Sequence, residues 1–112
     1  MLLGAAALGD IGKLFPDSDD RYAGADSVAL LRRVTAYLAE RGWQVVNVDA
    51  TVVAQAPKLS PCIGRMRENL AAAMGLDVDC VSVKATTEER LGFTGSGEGM
   101  AAHAVALVEK TV

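Results

Sequence analysis

Aromatic residues are scarce: two Phe, two Tyr and one Trp make up 4% of the 112 residues. Any core must therefore be assembled from Val, Leu, Ala and Met. Histidine and cysteine are scarcer, with one His and two Cys. Cys62 and Cys80 form no Cys-x-x-Cys and have no second pair, so a zinc ribbon is excluded and the two read as reduced, buried thiols. His103 cannot build a zinc site with two distant cysteines, and a lone histidine on a strand reads as packing. A basic excess is also absent. Eleven Lys and Arg stand against 14 Asp and Glu, for a net charge of −3. That balance argues against nucleic acid as a partner, while a small phosphorylated ligand could still be held by backbone N–H groups and one or two lysines. No apolar run approaches the roughly 20 residues of a membrane span, so a membrane partner is not expected. The opening Met1–Leu8 lacks the basic start of a signal peptide and is followed by Asp10; it reads as the end of a helix whose start is absent.

What is present suits one compact α+β domain. Hydrophobic residues make up 51% of the chain, and a domain of this size buries roughly two thirds of its unfolded surface. Residues 1–9 are helix-compatible. A polar loop is expected from Asp10 to Asp26, punctuated by Gly12, Pro16 and Gly24. Asp26 or Ser27 then caps a helix with Val28, Leu31, Val34, Thr35 and Leu38 on one face, ending at Gly42. Trp43 to Ala54 reads as a strand. Val46, Val48, Ala50, Val52 and Ala54 alternate onto one face, and Asn47, Asp49 and Thr51 sit among Val45 and Val53 on the other. A strand polar on its second face meets water or a polar subunit interface. Ala56-Pro57 closes it. Ser60-Pro61 is an N-cap with proline at the first helical position, Ile63, Met66, Leu70 and Met74 form a helical stripe, and Gly75 is the C-cap. Val78 to Thr86 and Met100 to Glu109 are the second and third strands, separated by a glycine-rich loop from Gly92 to Gly99. This order predicts a two-layer sandwich with helices on one face of a mixed sheet.

Four segments could carry chemistry, and each has a plainer reading. Asp10-Ile11-Gly12-Lys13-Leu14-Phe15-Pro16-Asp17 is either a solvated loop or a site where a carboxylate next to glycine bonds polyol hydroxyls. Ala54-Gln55-Ala56-Pro57-Lys58-Leu59-Ser60 is either a proline-marked turn or a strand end whose backbone reads a base edge while Lys58 meets phosphate. Lys84-Ala85-Thr86-Thr87-Glu88-Glu89 is either a Thr-rich strand end or a pair of hydroxyls facing a phosphoryl oxygen beside a carboxylate for Mg²⁺. Gly92 to Gly99 does not have the spacing of a dinucleotide fingerprint, and no helix is expected after it.

In order along the chain, Leu8-Gly9-Asp10-Ile11-Gly12, Phe15-Pro16-Asp17, Asn47-Val48-Asp49, Ala54-Gln55-Ala56-Pro57-Lys58, Val83-Lys84-Ala85-Thr86-Thr87, Leu91-Gly92-Phe93-Thr94-Gly95 and Gly97-Glu98-Gly99 resemble the 2-C-methyl-D-erythritol 2,4-cyclodiphosphate synthase family. The resemblance covers essentially the whole chain. It implies a phosphorus–oxygen lyase of non-mevalonate isoprenoid biosynthesis, a homotrimer with active sites between subunits, and a cytoplasmic location in bacteria or a plastid one in a plant or alga. The implied substrate is 4-diphosphocytidyl-2-C-methyl-D-erythritol 2-phosphate, whose 2-phosphate attacks the β-phosphate and expels CMP. Zinc and a magnesium or manganese ion are the implied cofactors.

By the same resemblance, Asp10, Ile11 and Gly12 hold the methylerythritol part, and Phe15, Pro16, Asp17, Ser18 and Asp19 line that pocket. Ala54, Gln55, Ala56, Pro57, Lys58, Leu59 and Ser60 hold cytosine and ribose through backbone contacts, with Lys58 near phosphate. Thr87 stabilises the transition state, Thr86, Glu88 and Ser96 join it as substrate-binding residues, and Glu89 meets both the substrate and the second metal. Phe93 sits at the ligand pocket and the central trimer cavity. Two departures are noted. The family's zinc ligands, an Asp-x-His pair and a further His, lie upstream of the position of Met1, so residues 1–112 read as one such domain lacking its N-terminal strands and zinc site, and inactive alone. Ser96 stands where the family has arginine. The rival expectation is a non-catalytic trimeric nucleotide-binding or structural homologue.

Overall fold

The computed structural model describes residues 1–16 and 26–111. Its elements are α1 (Leu2–Ala5), α2 (Ile11–Leu14), α3 (Ser27–Glu40), β1 (Trp43–Val53), α4 (Ile63–Met74), β2 (Val81–Thr86), α5 (Gly92–Gly95) and β3 (Ala101–Lys110). Short 3-10 turns occur at Ser60–Cys62 and Val78–Cys80. The strands form one sheet in the order β2-β1-β3, with β1 parallel to β2 and antiparallel to β3. A parallel pair needs a long crossover, and α4 supplies it. Helices α1, α3 and α4 pack on one face of the sheet, giving the expected α+β architecture with a mixed sheet.

The core lies between those helices and the sheet. Leu38 and Val81 are its most deeply buried large side chains, joined by Leu2, Leu3, Val34 and Met74. The helical stripes behave as their spacing predicts: Val34 and Leu38 of α3 are buried, and Ile63, Met66, Leu70 and Met74 of α4 all reach the core. Gly75 ends α4 in the left-handed conformation (φ 67°), where a side chain would be strained.

Several boundaries differ from expectation. The Asp10–Asp26 loop contains the helical turn α2, because the Asp10 carboxylate accepts the Lys13 N–H at 2.9 Å and caps it. The second strand begins at Val81, since Asp77 caps a 3-10 turn over Val78–Cys80. Ser60 belongs to a 3-10 turn rather than capping α4. The glycine-rich loop holds the short helix α5. Cys62 is exposed and Cys80 half-buried, so the thiols are not core residues.

The largest revision concerns β1. Its pairing with β3 slips between Val45 and Asn47, so Val46 faces no partner. This bulge shifts the alternation by one residue. Val45 joins Val48 and Ala50 toward the core in place of Val46. The opposite face carries Asn47, Asp49 and Thr51 of β1 beside Ser82 and Lys84 of β2 and His103, Val105 and Leu107 of β3. That face is polar on two strands. On the third, beyond His103, it is apolar, with Val105 70% and Leu107 56% exposed. His103 therefore lies on the open face and not in packing. Lys84 pairs with Asp49 across it, and that hydrogen bond holds the Asp49 carboxyl below the usual carboxylate range.

Truncating Leu38, which has no exposed surface, tests the core assignment. Leu38→Ala is expected to cost about 2–5 kcal/mol, read as a lowered urea midpoint at unchanged m-value. Arg32→Ala on the exposed side of the same helix should stay within about 0.5 kcal/mol of the parent.

Candidate functional site

Parallel strands leave a sheet on the same side. Val53 and Thr86 are register partners at the ends of β1 and β2, and the Ala54 N–H donates to the Thr86 carbonyl at 3.0 Å. The segments Gln55–Ser60 and Thr87–Arg90 therefore emerge next to one another. Between them lies a cavity of about 270 Å³, walled by Ala54, Gln55 and Pro57–Ser60 on one side and by Ala85, Thr86 and Thr87 on the other. Crevices beyond the carboxyl ends of parallel strands are common ligand sites in α/β sheets, because strand ends expose backbone groups that a rigid sheet holds in place. On the far side of β2, the Arg67 guanidinium donates to the carbonyls of Val81 (2.7 Å) and Val78 (3.0 Å) and ties α4 to the start of that strand.

The turn after β2 is unusual. Glu89 (φ 52°) and Arg90 (φ 68°) are consecutive non-glycine residues in the left-handed region, a conformation costing about 1–2 kcal/mol per residue. Four features hold it. The Glu89 N–H donates to Thr87 Oγ1 (3.3 Å), the Arg90 N–H to Gln55 Oε1 (3.2 Å) and the Leu91 N–H to the Glu88 carbonyl (3.0 Å). Gly95 of α5 presses on the Arg90 backbone, where an added Cβ would lie 2.4 Å from the carbonyl carbon. The Thr87 hydroxyl oxygen is thus an acceptor, leaving its O–H as a donor toward the cavity it lines. Glu88 and Glu89 are exposed on the turn and do not line the cavity.

The cavity brings together the second segment, except the exposed Ala56, with Ala85, Thr86 and Thr87 of the third, while Lys84, Glu88 and Glu89 stay outside it. The first segment lies elsewhere. Asp10 and Ile11 border a separate, largely apolar groove of about 330 Å³ formed with α1 and α3, and the two cavities share no residue. One Asp10 oxygen caps α2, and Gly12 is exposed. Phe15, expected at the ligand pocket, is instead buried in the core, because a helical turn at residues 11–14 directs it inward. Pro16 is half-buried; Asp17, Ser18 and Asp19 lie outside the described residues. Phe93 is 56% exposed, and the Ser96 hydroxyl donates to its carbonyl at 3.2 Å. Among the described residues no group of three His, Cys, Asp or Glu is placed to hold a metal, so the donor set here does not fit a zinc site, whereas Glu89 offers one exposed carboxylate of the kind Mg²⁺ shares with phosphate oxygens. Arg90 and Gly95 carried no sequence signal for their roles, since arginine is not a left-handed residue by preference and Gly95 is one of 11 glycines.

The profile of the YgbB family matches residues 1–109. A curated relative from Pseudomonas aeruginosa, named 2-C-methyl-D-erythritol 2,4-cyclodiphosphate synthase, is 67% identical over 107 residues, covering 96% of this chain and 68% of the relative. Among solved structures, the bifunctional IspDF from Campylobacter jejuni superposes with a TM-score of 0.92 at 42% identity, over 97% of this chain and 30% of that one. IspF from Plasmodium falciparum, described as a CDP complex, superposes at 0.84 with 30% identity, over 99% of this chain and 66% of that one. No helix among the described residues is long and apolar enough to cross a membrane.

Two glycine substitutions check the turn. Gly95→Ala forces backbone apart and should cost about 1–3 kcal/mol. Gly64→Ala, on α4 with nothing within 4 Å of its added Cβ, should stabilise by about 0.5–1 kcal/mol. Thermal melts of the two variants give the opposite signs expected.

Proposed function

The chain belongs to the YgbB family, that of the 2-C-methyl-D-erythritol 2,4-cyclodiphosphate synthases, and from it we propose that this protein supplies the nucleotide-binding and phosphoryl-transfer side of such an active site. The observation that carries the reading is the strand-end cavity, which sets the backbone of Ala54–Ser60 against the hydroxyls of Thr86 and Thr87. Its ligand is the CDP part of 4-diphosphocytidyl-2-C-methyl-D-erythritol 2-phosphate, in keeping with the CDP complex of the Plasmodium falciparum relative. Cytosine and ribose meet the strand-end backbone, and Lys58 meets the diphosphate. The non-catalytic alternative has no observation in its favour, since the curated relatives carry the name of the enzyme.

In this reading the reaction is displacement at the β-phosphate by the substrate's own 2-phosphate, with CMP leaving. Such chemistry depends on in-line positioning and charge neutralisation more than on an acid–base pair. Thr87 donates its O–H to the phosphoryl oxygen that gains charge, while its oxygen accepts the Glu89 N–H. A preorganised donor of this kind contributes about 2–4 kcal/mol to barrier lowering. The family is metal-dependent. Glu89 is the carboxylate for a magnesium or manganese ion, which when bound neutralises diphosphate charge. Zinc is assigned no residue of this chain, and no step is derived through it. Ser96 is given no phosphate contact, because its hydrogen is committed to the Phe93 carbonyl.

Asp10, Ile11 and Gly12, with the backbone near Phe15 and Pro16, form the sugar side. Their groove is separate from the nucleotide cavity on one chain, which supports a site completed between protomers of a homotrimer. The open sheet face with Val105 and Leu107 supports the same assembly, since exposed apolar patches mark interaction surfaces. Residues 1–112 act as one domain of this assembly, in the cytoplasm, a location in keeping with the bacterial source of its relatives.

Calorimetry tests the reading directly. The chain is expected to bind CDP, Lys58→Ala should weaken binding about 10-fold, and the difference should shrink with added salt. No CDP binding by the parent chain would overturn the assignment. With the full substrate and both metals, the chain alone is expected to release no CMP, because no group of three donors among its described residues is placed to hold zinc; measurable release would overturn that expectation.

A further inference from the structure

The Thr87–Arg90 turn is held in a conformation its sequence does not prefer. Two adjacent left-handed residues, Glu89 and Arg90, persist only where surrounding contacts enforce them, and such outliers gather at functional sites. One of those contacts comes from the opposite wall of the cavity: the Gln55 side chain lines the cavity and accepts the Arg90 N–H. Arg90 follows Glu89 directly. Whatever fixes the Arg90 peptide fixes where the Glu89 carboxylate stands relative to the Thr87 hydroxyl, whose oxygen takes the Glu89 N–H. Gly95 blocks the turn from behind with its close approach to the Arg90 backbone. The turn is therefore clamped between a side chain that faces the ligand and a glycine that cannot yield.

We propose that Gln55 is a positioning residue that couples occupation of the nucleotide cavity to divalent-cation binding at Glu89. Its backbone belongs to the wall that meets the nucleoside, and its amide oxygen holds the turn that presents the metal carboxylate. Ligand packed along this wall holds the Gln55 side chain where it already meets the Arg90 N–H, and that side chain keeps Glu89 in place for the cation. By reciprocity the cation strengthens nucleotide binding by the same factor. Leucine at this position keeps the volume of the side chain and removes its acceptor. The Arg90 N–H then loses its partner, and the left-handed pair is free to relax toward ordinary backbone, carrying Glu89 away.

The inference rests on reading the cavity as a CDP site, and the test separates the two. CDP affinity of the 112-residue chain is measured by calorimetry with and without Mg²⁺, and the ratio of the two affinities is the quantity compared, so that any change in metal-free binding cancels. The parent chain is expected to show a ratio of about 10. Gln55→Leu should bring it to about 1, with the fold retained by circular dichroism. Arg90→Gly added to Gln55→Leu should restore part of the ratio, because glycine adopts φ near 68° without the steric cost that Gln55 offsets. A role confined to general stability would lower both affinities together and leave the ratio unmoved. A full parental ratio in Gln55→Leu overturns the coupling while leaving the CDP site standing. A lost ratio with no recovery in the Arg90→Gly double variant overturns the clamped turn as its cause. Absence of CDP binding in the parent chain overturns the reading of the cavity and this inference with it.

Discussion

Parallel pairing of β1 with β2 is the constraint on which the candidate site depends. Because the two strands run in the same direction and end in register at Val53 and Thr86, both chains turn out of the sheet at one place. The Ala54 N–H continues the ladder one bond beyond the last pair. The crossover that makes the pairing possible is α4, buried through Ala71 and Met74 and fastened to the start of β2 by Arg67. A slip of one residue in this register would turn Thr86 to the other face and separate the two walls of the cavity.

Around that constraint the chain divides its labour between two faces. The helices fill one side of the sheet with Leu, Val, Ala and Met, compensating for the scarcity of aromatic rings. The other side stays open, with a polar pair in Lys84 and Asp49 and an apolar edge in Val105 and Leu107. Such a mixture suits contact with another protein surface better than contact with water alone. The groove bordered by Asp10 and Ile11 and the cavity at the strand ends are kept apart by the fold.

Much of the architecture is legible in the sequence. The stripes of α3 and α4, the strand after Gly42 and the strand ending at Thr86 follow from periodicity and punctuation. Local chemistry is less legible. Asp10 appeared as a ligand group, and it is also a helix cap. Phe15 appeared at a pocket, and it is in the core. Alternation assigned Val46 inward, and the bulge assigned Val45 instead. In the first two the hydrogen bonding of a short helical turn set the side chain, and in the third one extra residue in a strand did.

The sequence by itself determined the α+β class, the family and the two segments that wall the cavity, because hydrophobic period, turn residues and an ordered series of short motifs are all local properties of the chain. Only the tertiary structure decided that these segments meet, that Asp10 and Ile11 border another groove, and that Glu89 and Arg90 adopt left-handed backbone under the hold of Gln55 and Gly95. The physical reason is that Gln55 and Arg90 are 35 positions apart. A hydrogen bond between a glutamine oxygen and a distant backbone N–H leaves no pattern in composition or spacing, and it forms only after the parallel strands have carried its two partners to the same end of the sheet.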